Sequence, residues 1–113
     1  MDRHARQARL AGVGVEGQAR IAQASVDVGL GGFAADVAAR YLAGAGVGCV
    51  RVRSEELAQG ARALDGGVRV EVEPRIDPAP AEALELDDPS ALELARGALF
   101  ALRALRRASS GNP

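Results

Sequence analysis

Gly29, Gly31 and Ala34 carry the clearest chemical signal in this chain of 113 residues. They make a G-x-G-x-x-A pattern directly after Ser25-Val26-Asp27-Val28. In such a pattern the first glycine permits a tight turn and the second lets backbone approach a phosphate. The small third residue lets the following helix pack on the strand. Gly32 prolongs the run, and the helix that starts there offers free amides and partial positive charge to an anion. The chemistry these residues suit is the holding of nucleotide phosphates. A ribose then usually meets an acid at the end of the next strand, about 20 residues on. That strand ends here at Arg53-Ser54-Glu55-Glu56. Ser54 stands at the expected place, with Glu55 and Glu56 just after it. Both glutamates also suit the first turn of a helix, where negative charge is favourable.

Other reactive side chains are few. His4 stands alone, without a partner for acid–base work. Cys49 is the single cysteine, which excludes an internal disulfide and a cysteine-based metal cluster. It opens a strand, where cysteine serves as a small core residue. All the basic residues except His4 are arginines, so a P-loop with its lysine is excluded. Glu82, Glu85, Asp87 and Asp88 form an acidic run before Pro89 and read as a solvated face and helix cap.

The elements that would position the glycine turn follow from spacing. Arg3 to Leu10 can begin a helix, which Gly12 and Gly14 interrupt. Val15 to Ala24 reads as a short helix with Val15, Ala19 and Ala22 on one face. Ser25 to Val28 is a strand. Gly32 to Ala43 is a helix whose apolar face holds Phe33, Val37, Ala38, Tyr41 and Leu42, and Gly44-Ala45-Gly46 ends it. Cys49 to Arg53 is a second strand, so the pieces make a βαβ unit. Ser54 caps a helix to Leu64, with Leu57, Ala61 and Leu64 on one face. Asp65-Gly66-Gly67 turns the chain into Val68 to Val72, which alternates as a half-buried strand does. Pro74, Pro78 and Pro80 mark a crossing segment, and Ala81 to Leu86 suits a helical turn. Asp88-Pro89 starts the longest helix, Ala91 to Arg107, with Leu92, Leu94, Ala95, Ala98, Leu99, Leu102 and Leu105 as its apolar face. Arg103, Arg106 and Arg107 favour its C-terminal dipole. Ser109 to Pro113 reads as a frayed end.

Composition bounds the rest. The length suits one domain. Hydrophobic residues are 48% of the chain but aromatics only 3%, and much of the apolar content is alanine, so the core buries little area per residue. A homodimer would cover more. A net charge of −1 argues against a nucleic-acid footprint. The polar start of the chain does not read as a secretory signal and no apolar run approaches a membrane span, which together suggest a cytoplasmic protein.

Four motifs in order resemble the ThiF, MoeB and HesA proteins of the ubiquitin-like-protein activating superfamily. They are Arg6-Gln7, Gly14-Val15-Glu16-Gly17-Gln18, Gly29-Leu30-Gly31-Gly32, and Tyr41-Leu42-Ala43-Gly44-Ala45-Gly46-Val47-Gly48. The resemblance covers nearly all of residues 3–50. It implies ATP with magnesium as cofactor and adenylation of the C-terminal glycine of a ubiquitin-like sulfur-carrier protein. By resemblance Gly29, Gly31 and Gly32 would line the phosphates, and Arg6 would reach a phosphate in the partner subunit of a dimer. Glu56 falls on the second acid of the family's Asp-x-Asp turn, and Arg62 on the arginine of the stretch after it. The departures are equally specific. Ser54 replaces the first acid, the phosphate-contacting lysine has no counterpart, and neither has the strand with the magnesium aspartate. No zinc-binding cysteine pairs exist, so no structural zinc is expected. Ala91 to Leu105 resembles a late helix of the family near its dimer interface. The resemblance therefore implies an enzyme whose middle is deleted, with the first strand left at the sheet's edge. Asp27 within that strand would then discourage further pairing.

The expected fold is a small α/β Rossmann-like unit in two or three layers, with about three parallel strands, an N-terminal helix and a long C-terminal helix. Residues 1–24 would form an arm, 25–73 the βαβαβ core, 74–88 a proline-rich linker and 89–108 the last helix. The expected function is a non-catalytic member of the resembled family that retains ATP binding and acts through protein association. Its partners would be a second copy, an activating enzyme or a carrier protein. An active adenylyltransferase and a small NAD-binding module are the alternatives. Ser54 speaks against the second, and the missing lysine against the first.

Overall fold

The computed structural model describes residues 14–64, 67–80, 84 and 86–110. Arg6, the stretch from Arg3 to Leu10, Asp65 and Gly66, and most of the 81–86 turn lie outside these residues. Helix α1 spans Val15–Gln23 and strand β1 Ser25–Asp27. After them come α2 (Gly32–Gly44), β2 (Cys49–Val52), α3 (Glu55–Leu64), β3 (Arg69–Val72) and α4 (Pro89–Ser110). The strands form one parallel sheet in the order β1-β2-β3. The fold is a small α/β unit with an N-terminal helix and a long C-terminal one, as expected.

Register explains the alternation. Val26, Val50 and Val70 stand in one row, while Asp27, Arg51 and Glu71 stand in the next. One sheet face is therefore aliphatic and the other charged. Right-handed crossovers put α2 and α3 on the same face, and the core forms there: Val28, Val50, Val52 and Val70 pack with Ala35, Ala38, Leu42, Ala58 and Ala61. Helix α4 packs on α2 and α1 rather than on a strand. Beyond β1 there is no further strand among the described residues, so β1 is an open edge.

Several helix faces differ from the periodic reading. In α1 the buried residues are Gly17 and Ile21, whereas Val15 is 89% exposed. In α2 they run from Ala34 and Ala35 through Ala38, Ala39, Leu42 and Ala43, while Phe33 and Tyr41 are exposed. In α3 Leu64 is exposed and Ala58 is buried. In α4 they are Gly97, Ala101, Ala104 and Leu105, and Leu94 is 52% exposed. One cause covers α2 and α4: a glycine and alanines let the two axes come close. A Cβ on Gly97 would lie 2.7 Å from the Val37 Cβ, well inside contact distance. Burial here follows side-chain smallness more than hydrophobicity.

The helix starts match their signals. Asp88 Oδ1 accepts the Ser90 N–H at 3.1 Å, with Pro89 first in the helix. Ser54 Oγ accepts the Leu57 N–H at 3.3 Å. Ser109 and Ser110 continue α4 instead of fraying, and Arg20 Nη1 donates to Ser109 O at 2.8 Å. That bond supplies a cation and a donor to carbonyls that a helix end leaves unpaired. Asp27 is not aimed along the open edge. It shares a row with Arg51 and hydrogen-bonds its Nε, so its charge is met on the sheet face. That bond, and then the carboxylate's charge, hold Arg51 more firmly protonated than an isolated guanidinium. Among the described residues no helix is long and apolar enough to cross a membrane.

Candidate functional site at the glycine turn

The glycine turn leaves β1 at Val28, whose N–H donates to Arg51 O at 2.8 Å. Gly31 is the N-cap of α2 in extended conformation, and Gly32 has φ +61°. That left-handed angle is why the fourth position is glycine: an L side chain there costs about 1–2 kcal/mol. The space over Gly31 is open, since a Cβ there would meet nothing within 4 Å. To this point the turn has the build of a phosphate cradle.

Two of its contacts are taken by the chain itself. Glu93 reaches over from α4, 59 residues along the chain, and its Oε2 accepts the Ala34 N–H at 3.2 Å. A carboxylate thus occupies the first turn of α2, where a phosphate would gain from the same amide and the same dipole. The proline segment crosses the other side. Ala79 N–H donates to Gly29 O at 2.8 Å, and a Cβ on Gly29 would run into the backbone of Asp77 to Ala79. Gly29 is required by the close approach of that backbone, not by an open cradle. Among the described residues the N–H groups of Gly32 and Phe33 keep no partner.

Beside this turn lies a cleft of about 450 Å³ between α2 and the start of α3. Ser54 and Glu56 line it with Gly32, Phe33, Asp36 and Arg40. Glu56 and Gly32 thus line the same cleft. Arg40 is engaged by Asp36, Nε to Oδ1 at 2.9 Å. Arg62 is used elsewhere: it donates to Glu55 Oε1 at 2.8 Å and to Val70 O at 2.9 Å, tying α3 to β3. Of the six residues singled out from the sequence, Gly29, Gly31, Gly32 and Glu56 share this end of the sheet. Arg62 does not join them, and Arg6 lies outside the described residues. Glu93 and the Asp77–Ala79 backbone were missed, because nothing in their local sequence marks a contact made across the fold.

ATP with magnesium fits this site poorly. A triphosphate at the α2 N-terminus would face the Glu93 carboxylate, with no lysine to offset it, and would have to share Gly29 with Ala79. Among the described residues no cluster of three or more His, Cys, Asp or Glu is placed to hold a metal ion. Cys49 is buried, and its thiol donates to Glu71 Oε1 at 3.1 Å. Burial first, and then Glu71 as acceptor and as negative charge, push its pKa up, while Arg51 and Arg69 oppose them. It is a poor nucleophile in this setting. Comparison with protein-family models, with curated proteins and with solved structures gave no match.

Proposed function

We propose that this chain is a non-catalytic relative of the ThiF, MoeB and HesA proteins that works by binding another protein. The glycine turn is kept as the joint between a strand and a helix. The observation that carries this reading is the Glu93 carboxylate on the Ala34 amide, a built-in anion at the phosphate's place. The crossing of Gly29 by Asp77 to Ala79 supports it, as does the absence of lysine from the sequence. Among the described residues, magnesium-ATP would meet the Gly32 and Phe33 amides and the Glu56 side of the neighbouring cleft.

The test is calorimetric titration with magnesium-ATP and with NAD, beside pyrophosphate exchange in the presence of a ubiquitin-like carrier protein. The expected outcome is no exchange and no saturable heat with either nucleotide. Exchange above a protein-free blank would overturn the reading in favour of an adenylyltransferase. Saturable binding of NAD alone would turn it into a dinucleotide module.

A further inference from the structure

The open edge of β1 borders a groove of about 720 Å³ lined by Arg20 and Gln23 of α1, by Ser25, Val26 and Asp27, and by Phe100, Ala104 and Arg107 of α4. A second hollow, of about 260 Å³, adjoins it, with Phe100 and Arg107 as the common wall. Leu30, Pro80, Arg96 and Arg103 complete that hollow. Meeting at Phe100 and Arg107, the two hollows lie between the strand edge and Leu30 of the glycine turn and are treated together as one channel.

Three properties of the channel point to one occupant. The first is backbone. In the ladder, Cys49 N–H donates to Ala24 O and Val28 N–H to Arg51 O. The alternation of a parallel pair then turns the N–H and C=O groups of Ser25 and Asp27 outward. An extended segment can take up all four by adding a strand. The second is charge. Arg20, Arg96, Arg103 and Arg107 line the channel; Arg20 also meets Glu16 at 3.9 Å and Arg96 meets Glu93 at 3.5 Å. Among the described lining residues the one acid, Asp27, is paired with Arg51. The Arg107 guanidinium has no hydrogen-bond or ionic partner among the described residues, and the buried Nε of Arg96 has no hydrogen-bond partner. The third is apolar surface, since Phe100, Leu30 and Val26 stand partly exposed between the arginines.

We infer that this channel binds an extended acidic peptide segment of a partner protein, added as a strand beside β1. Its backbone pairs with Ser25 and Asp27, its carboxylates meet Arg20, Arg96 and Arg107, and its alternate apolar side chains rest on Phe100. This rests on the reading that the chain binds a protein, and it names that partner's chemistry.

The probe is a fluorescein-labelled peptide of four Glu-Val repeats, read by anisotropy against the whole chain. Its controls are four Lys-Val repeats and the same Glu-Val peptide N-methylated at alternate amides. Saturable binding of the Glu-Val peptide alone is expected. Arg107→Glu should weaken it about tenfold through charge reversal. That residue is exposed and has no side-chain partner among the described residues, so the variant should lose only its favourable place at the α4 C-terminus. A cooperative urea transition with a midpoint slightly below that of the wild type will show it folded. Binding that survives N-methylation or Arg107→Glu, equal binding of the Lys-Val peptide, or no binding at all would overturn the proposal. So would a dimer that the peptide cannot dissociate and that Arg107→Glu splits, because the channel would then belong to a second copy. Magnesium-ATP titration on the same sample keeps the two readings apart. Pyrophosphate exchange with intact peptide binding would sink the non-catalytic reading and leave the channel standing.

Discussion

If Glu93 is the anion of the α2 N-terminus, removing its charge must cost stability and free an anion site. Glu93→Ala loses the Oε2 acceptor 3.2 Å from the Ala34 amide and the negative charge with it. Losing such a cap costs about 0.5–2 kcal/mol, and a charge at a helix N-terminus is worth about 0.3–1 kcal/mol, more where it is partly buried. The two overlap, so the expected loss is about 1–2 kcal/mol for the alanine variant. The 3.5 Å pair with Arg96 is one turn apart on the same helix and adds little. Glu93→Gln keeps an acceptor and drops only the charge, so it should lose about half as much. In a domain of this size each kcal/mol moves the midpoint by about 4 °C. Thermal and urea unfolding of the three proteins in low salt and in 1 M NaCl is the assay. Salt should shrink the gap between wild type and Glu93→Gln, because the Debye length falls to about 3 Å. Titration of Glu93→Gln with inorganic pyrophosphate should show weak saturation that the wild type lacks. Equal unfolding midpoints for all three proteins, with identical pyrophosphate behaviour, would refute the argument.

Other consequences follow from packing and burial. Gly97→Ala places a Cβ 2.7 Å from that of Val37, and overpacking of about 1–3 kcal/mol should outweigh the better helix propensity; a higher urea midpoint would contradict the close approach of α2 and α4. Leu105→Ala empties one of the largest fully buried positions and should cost about 2–5 kcal/mol, enough to threaten folding of an alanine-rich core; circular dichroism melting reads it. The raised pKa of Cys49 means that the folded state holds the thiol proton more tightly than the unfolded chain does. Its contribution is therefore complete below about pH 8.5 and is lost as the pH climbs toward the folded value. Between pH 7 and 10 the wild type should lose more stability than Cys49→Ala, and its thiol should react slowly with a disulfide reagent at pH 8 until urea is added. A thiol that reacts at the rate of a free cysteine would contradict the burial.

Much of the scaffold was legible in sequence, because its signals are local. The βαβ order follows from alternating strands and glycine punctuation, and the starts of α3 and α4 from Ser54 and Asp88, whose side chains bond amides two or three residues away. The glycine turn was equally legible as a joint between strand and helix, whereas the left-handed angle at Gly32 came from the structure. Which helix faces are buried, and what fills the turn, followed from the packing of the elements on one another. The apolar stripe of α4 is broad enough for several rotations, and the close fit of Gly97 on Ala34 and Val37 chose one that leaves Leu94 in solvent. Glu93 and Ala79 reach Ala34 and Gly29 only because α4 and the proline segment fold back across the sheet's end. Local periodicity and capping act over a turn or two of chain, whereas a contact spanning 59 residues depends on how the completed layers stack. The residue pattern alone specified a glycine-rich turn from strand to helix, and the stacking of α4 upon it placed a carboxylate of the same chain there.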